Sequence, residues 1–169
     1  MRTETIKRKL YKFEELSEEA QEEAIERLYD INVDYEWWNF TYDDAERIGL
    51  KITAFDIDRG NYIKGKVTED TRTMAELILK DHGSITDTYK LAHEYLEQLY
   101  IWQSYDQEVD DYGYEEDIPE DIEEEFIRQL KEEYLSILRK EYEYLTSREA
   151  IIETIEANEY EFTVDGKLR

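Results

Sequence analysis

Residues 50–68 read LKITAFDIDRGNYIKGKVT, and this stretch decides the architecture. From Leu50 to Ile57 apolar and polar side chains alternate with a period of two, the signature of a strand with one buried face. Asp58-Arg59-Gly60-Asn61 is turn chemistry, and the alternation resumes with Ile63, Gly65 and Val67 on one side. The segment predicts a β-hairpin pairing 50–57 with 61–68. On either side of it the apolar period lengthens to that of a helix.

Upstream, Ser17 stands as an N-cap before EEAQEEAIERLYDI, with Glu18 and Glu19 at the positive helix end and Ala20, Ala24, Leu28 and Ile31 as an apolar stripe. A helix over 17–31 is expected. The next stretch, VDYEWWNFTYDDAERIG, is the most aromatic, holding Tyr35, Trp37, Trp38, Phe40 and Tyr42. Asp34 suits the cap of a short helix there, and Thr41 with Asp44 resembles a capping box opening a second helix that stops at Gly49. The opening TIKRKLYKFEEL alternates weakly and predicts a basic arm or edge strand over 1–12.

Downstream, TRTMAELILKDHG aligns Met74, Leu77 and Ile78 before the stop at Gly83, and ITDTYKLAHEYLEQLYIW aligns Tyr89, Ala92, Leu96 and Leu99. These read as a helical hairpin. An acidic loop over 105–118 leads to Pro119, which suits the first turn of a helix over 119–144 carrying Ile122, Phe126, Leu130, Tyr134, Ile137 and Leu138. Thr146-Ser147-Arg148-Glu149 caps a final helix through Ile151, Ile152 and Ile155. Tyr160, Phe162 and Val164 then alternate as a C-terminal strand, expected to complete the hairpin sheet. The class is α+β: five to seven helices around a small antiparallel sheet, in one domain spanning 1–169.

Charge is the strongest compositional signal. The 169 residues carry 45 Asp and Glu against 21 Lys and Arg, a net charge of −24. Residues 1–12 hold five bases against Glu4, so residues 13–169 carry −28. A domain of this size has a diameter of about 40 Å, and duplex DNA spreads about 24 charges over roughly 41 Å of axis. The linear densities match. Such a surface repels nucleic acid and anionic membranes and steers cationic partners inward. With 40% hydrophobic residues, including 15 Tyr, 3 Trp and 5 Phe, the chain is nonetheless too apolar for a disordered acidic tail.

The residue types that chemistry needs are scarce. No GxxxxGK[ST], GxGxxG, HExxH or GxSxG motif occurs, and the absence of cysteine removes disulfides, thiolate metal sites and a cysteine nucleophile. His82 precedes a helix stop, where a cation suits the negative helix end, and His93 lies mid-helix. Asp56 and Asp58 invite a metal reading. The calcium-loop pattern fails there, with Asn61 where the glycine belongs and Val67 where the bidentate Glu belongs, so a salt-bridged turn around Arg59 is expected. No catalytic residue, cofactor or metal is assigned, and the chain is read as a non-enzyme. No window approaches a membrane span, and the start MRTETIKRKLYKF lacks the apolar stretch of a secretory signal, so the cytoplasm is the expected location.

What remains is an acidic run interleaved with aromatics. Residues 106–125 contain twelve acids and no base. Asp106, Glu108, Asp110, Asp111, Tyr112, Tyr114, Glu115, Glu116 and Asp117 fall on the loop, and Glu120, Asp121, Glu123, Glu124 and Glu125 on the following helix. Helical carboxylates at i, i+3 and i+4 stand ~5–6 Å apart, close to what a basic groove built for a phosphate backbone meets. Tyr adds contact area at low entropic cost. Glu15, Glu18, Glu19, Glu22, Glu23 and Glu26 form a second acidic face, while a mobile loop leading into a solvated helix is the plainer alternative.

The phrases WWNFTYDDA, FDIDRG and AIIETIEANEYEFT resemble an uncharacterised family of acidic phage and prophage proteins, a likeness covering both ends of the chain. It implies no activity, since no catalytic residue is attached to that family. By charge alone, the chain is similar to DNA-mimicking anti-restriction and anti-CRISPR proteins. Together these lead to the expectation of a phage-encoded inhibitor in the cytoplasm of a bacterial host. It would bind the basic surface of a nucleic-acid-binding protein or nuclease complex rather than nucleic acid or membrane, with no oligomeric state implied. The alternative is an antitoxin-like or assembly factor using the Trp37-Trp38 region as an apolar contact.

Overall fold

The computed structural model describes residues 9–105 and 118–169. In chain order its elements are β1 (Tyr11–Lys12), a 3-10 turn (Phe13–Glu15), α1 (Glu18–Arg27), α2 (Asn39–Arg47), β2 (Leu50–Asp56), β3 (Tyr62–Val67), α3 (Thr71–Asp81), α4 (Asp87–Tyr105), α5 (Glu120–Leu145), α6 (Arg148–Ala157) and β4 (Glu161–Phe162). The class is therefore α+β and predominantly helical. Two compact units form, Trp38–Arg139 and Met1–Trp37 with Lys140–Arg169, and each has its own apolar core.

In the unit Trp38–Arg139, the hairpin stands where its alternation puts it. Leu50 pairs with Val67, Lys51 with Lys66 and Ile52 with Gly65, and a bulge between Ile52 and Ala54 shifts the register before Ala54 meets Lys64. Leu50 and Ile52 are buried among Ile48, Met74, Ile78, Ala92, Leu99, Phe126 and Leu130. Gly49 ends α2 at φ +90°, a left-handed backbone that a side chain would strain. At the far end the Asp56 carboxylate accepts from the amides of Asp58 (2.8 Å) and Gly60 (3.1 Å). Both its oxygens serve the turn. Asp70 caps α3 by accepting from the Thr73 amide at 2.9 Å and its hydroxyl at 2.6 Å, and these bonds hold its pKa below the ordinary carboxylate value.

The other unit brings the two ends of the chain together. β4 pairs with β1, Tyr11 opposite Phe162 and Lys12 opposite Glu161, and not with the hairpin as the alternation of residues 160–164 led one to expect. The reason lies in packing. Phe162 is fully buried with Phe13, Leu16, Ala24, Ile151 and Ile155, its ring edge-on to Phe13 at 6.2 Å, and the Lys12 ammonium donates to the Glu159 carbonyl at 2.8 Å. Residues 1–8 of the basic arm lie outside the described residues.

Two helix boundaries also depart from expectation. α1 ends at Arg27, four residues short of Ile31, because Asn32 is buried and its carboxamide is used twice, donating to the Leu145 carbonyl at 3.0 Å and accepting from Thr154 at 2.7 Å. α2 begins at Asn39 and not at Thr41, which is buried inside it. Its supposed capping partner Asp44 instead accepts from Arg47 at 2.9 Å and from the Tyr134 hydroxyl at 2.9 Å. Trp37 is buried against Tyr142, ring centroids 5.7 Å apart.

Gly166 provides a sharp stability test. Its φ is +73°, and a Cβ placed there would lie 2.3 Å from the Ala20 carbonyl oxygen. Gly166→Ala is expected to cost about 1–3 kcal/mol from the left-handed backbone alone, with the clash on α1 added. Gly83→Ala, where a Cβ meets nothing within 4 Å, is the control and should be near neutral. Urea midpoints of the two variants make the comparison.

Candidate functional site

The acidic run predicted to contact a partner straddles the connection from α4 to α5, so its surroundings start from how these helices pack. Tyr95 of α4 stacks on Phe126 of α5 with ring centroids 4.2 Å apart and planes 17° from parallel. The Tyr95 hydroxyl donates to Thr71 Oγ1 at 2.7 Å, and Thr71 donates in turn to Glu123 Oε1 at 2.6 Å. This chain of bonds fixes the first turns of α3 and α5 to α4. Burial raises the Tyr95 pKa, so the phenol keeps the proton it donates.

That packing sorts the predicted contact residues. Glu123 is half-buried and faces inward on Thr71. Glu125 is exposed but spoken for: Arg128 donates to both its oxygens, at 2.9 and 2.6 Å, and Gln129 adds a third bond at 2.6 Å, which lowers its pKa. Arg128 also reaches Glu132 at 2.5 Å. Glu120, Asp121 and Glu124 are exposed and form no ion pair among the described residues. They lie on the first turn and a half of α5, where the unpaired amides of a helix N-terminus favour negative charge. The loop members Asp106, Glu108, Asp110, Asp111, Tyr112, Tyr114, Glu115, Glu116 and Asp117 lie outside the described residues.

The second acidic face is on α1, in the other unit. Ser17 accepts from the Ala20 amide at 3.3 Å, Ala20 and Ala24 are buried, and Glu18, Glu19, Glu22, Glu23 and Glu26 are all exposed. Arg148 pairs with Glu22, and Arg27 pairs with Glu23 at 3.2 Å. Glu18, Glu19 and Glu26 have no cationic partner among the described residues. Most lysines and arginines that do pair sit beside a near-sequence acid, as Arg47 does with Asp44, Lys90 with Asp87 and Lys167 with Asp165. The cations that pair thus take mostly acids near them in sequence, and Glu18, Glu19 and Glu26 stay exposed.

One constellation escaped the sequence reading. His82 stands at the C-cap of α3, the helix end expected for it, but its ring is nearly buried, with Nδ1 2.8 Å from Thr88 Oγ1 and Nε2 3.5 Å from Asp44 Oδ2. Asp44 in turn accepts from Tyr134, whose pKa is raised by burial first and by the Asp44 carboxylate second. Carboxylate, imidazole and hydroxyl in this order invite a triad reading. Thr88 is only 4% exposed and already donates to Thr86 at 3.2 Å, so no substrate reaches its oxygen. The cluster ties α2, the α3–α4 turn and α5 together. Nothing in the spacing of Asp44, His82, Thr88 and Tyr134 announces it, since the fold alone makes them neighbours.

Two concave surfaces among the described residues offer little chemistry either. A cleft of about 80 Å³ between α4 and α5 is walled by Leu91, Glu94, Tyr95, Gln98, Ile122 and Glu125, room for a few waters. A larger open groove of about 490 Å³ on α3 and α4 is lined by Leu79, His93, Leu96, Glu97, Tyr100 and Ile101. It has the size of a ligand site, and its His93 makes a long surface pair with Glu97 at 3.7 Å. Among the described residues no group of three or more His, Cys, Asp or Glu is placed to hold a metal ion, and no helix is long and apolar enough to cross a membrane. Compared with protein-family models, curated proteins and solved structures, the chain finds no match.

Proposed function

We propose that this chain is a phage-encoded, non-catalytic inhibitor of a bacterial nucleic-acid-targeting defence complex, either a CRISPR effector or a restriction nuclease. It works in the host cytoplasm by occupying a basic nucleic-acid groove in place of DNA. One observation supports the reading: the carboxylates at the starts of α1 and α5, Glu18, Glu19, Glu120, Asp121 and Glu124, stand exposed without cationic partners among the described residues, while the arginines and lysines that do form ion pairs take other acids. Carboxylates held on rigid helix ends present fixed negative charge with little ordering cost on binding. They steer a basic groove at long range and pair with its arginines at short range.

The test is competition. A DNA-cleaving restriction or CRISPR effector is titrated with fluorescent duplex in the presence of the purified chain, between 50 and 500 mM NaCl on the order of physiological screening lengths. The expected result is stoichiometric displacement of DNA that weakens steeply as salt rises. Displacement insensitive to salt, or inhibition at substoichiometric amounts, rules the reading out.

A second reading has its own support. The apolar residues Tyr100 (73% exposed) and Ile101 (53% exposed) sit with Leu96 and Leu79 in the open groove on α4, an aliphatic and aromatic surface that a pure charge mimic does not need. An antitoxin-like or assembly factor would bind through such a face. The Trp37-Trp38 pair does not serve it, because Trp37 is buried and Trp38 packs on Phe55 at 5.7 Å. Tyr100→Glu with Ile101→Glu removes binding under this reading and leaves the DNA mimic intact.

A further inference from the structure

The hairpin carries the opposite charge to the unit it belongs to. Trp38–Arg139 holds 26 acids against 11 bases, a net −15. Yet the solvent face of β2 and β3 presents Lys51, Lys64 and Lys66, all exposed, with Thr53 and Tyr62 beside them. Lys51 and Lys66 are direct cross-strand partners, and Lys64 is two residues from Lys66 on the same side. Like charges placed opposite each other in an antiparallel pair destabilise it by a few tenths of a kcal/mol or more. In a chain with twice as many acids as bases, three lysines meet on one small sheet.

Two ordinary explanations fall short. Solubility is already supplied by the acids. Edge protection against strand pairing asks for a charge of either sign, and one would suffice. Neighbouring acids cancel only part of the face: Glu46 takes up Lys51 at 3.2 Å, but Lys64 rests over the Tyr62 ring at 5.1 Å, neither Lys64 nor Lys66 has an ion pair among the described residues, and Asp56 is turned into the turn amides.

We infer that this lysine face is a second docking surface, which takes an extended acidic segment of a protein partner laid along β3. Residues on one side of a strand repeat every ~6.7 Å, so alternate carboxylates of an extended peptide match Lys64 and Lys66 in period. Among the described residues β3 pairs only with β2, which leaves its other edge free for a strand to add. A nucleic acid fits worse. Its backbone carries no amides to pair with the open edge of β3, and three cations alone neutralise at most about three phosphates, a weak contact. This surface is independent of the carboxylates at the starts of α1 and α5, and it stands or falls apart from them.

The test is a 1H–15N chemical-shift titration of the full chain with the ten-residue peptide acetyl-(Glu-Thr)5-amide at about 150 mM NaCl, where charges beyond a Debye length are screened. Shifts concentrated on Lys51, Thr53, Tyr62, Lys64 and Lys66, weakened at least tenfold in Lys64→Gln with Lys66→Gln, support the assignment. These exposed substitutions leave the fold intact, checked by the unshifted core resonances. Absent or evenly spread shifts overturn it. So do larger shifts of the same residues with a ten-nucleotide oligothymidylate, which would mark a nucleic-acid surface, or shifts that grow with protein concentration alone, which would mark a second copy.

Discussion

Phe126→Ala is expected to lower the stability of the fold by about 3–5 kcal/mol, the cost of truncating a fully enclosed aromatic ring. Phe126 is 2% exposed and lies flat on Tyr95, so the loss combines transfer, a cavity between α4 and α5, and a stacking contribution of about 0.5–1.5 kcal/mol. A domain of this size holds only about 5–15 kcal/mol in total, which makes a third of its stability rest on one contact. The damage also reaches the surface: once Tyr95 loses its platform, the bonds from Tyr95 through Thr71 to Glu123 loosen, and with them the start of α5. Phe40→Ala is the control. Phe40 is 84% exposed, so its removal should change stability by no more than about 0.5 kcal/mol. Urea unfolding of both variants decides the matter, and a loss at Phe126 no larger than that at Phe40 would mean that α5 does not pack on α4 as described.

The same contrast shows how far sequence reading reaches. Local signals carried the elements well. The alternation of residues 50–57 and 61–68, the Asp-Arg-Gly-Asn turn and the Ser17 and Ser147 caps are each decided within a few residues, and β2, β3, α1 and α6 form where those signals stand. The errors sit where a distant partner outbids a local preference. Thr41 and Asp44 have capping-box spacing, but Asp44 gains more from Arg47 and from Tyr134, ninety positions away, than from a helix amide. Residues 160–164 alternate like any strand, and no pattern says that Phe162 will seek Phe13 and not the hairpin. For the candidate site, composition announces excess charge, whereas the tying down of Glu123 and Glu125 depends on Thr71 and Arg128 being in reach. The lysine face was hidden for a related reason: net charge averages it away, and only the register that sets Lys51 opposite Lys66 assembles it.

Under the proposed function, reversing Glu120, Asp121 and Glu124 to lysine should weaken binding to the target nuclease by about 100-fold or more. If each carboxylate meets a cation of the groove, reversal replaces attraction by repulsion at roughly 1 kcal/mol or more per position, and about 2.8 kcal/mol in sum corresponds to that factor. Net charge alone predicts something different. Glu69, Glu76 and Asp81 are equally exposed and free of ion pairs among the described residues, and their reversal gives the same change from −24 to −18. A diffuse field, screened within ~8 Å, treats the two sets alike and lowers mainly the association rate, by less than tenfold. A charge mimic built on the start of α5 distinguishes them, losing affinity through faster dissociation in the first set only. Lysine in the first turn of α5 opposes the helix dipole at about 0.3–1 kcal/mol per residue, so the neutral set Glu120→Gln, Asp121→Asn and Glu124→Gln is measured beside it and should show roughly the square root of the loss. Dissociation rates from immobilised nuclease, with unfolding midpoints taken on the same preparations, separate lost contacts from lost fold, and equal losses for the α5 and control sets would mean that position on the surface is irrelevant to the inhibitor.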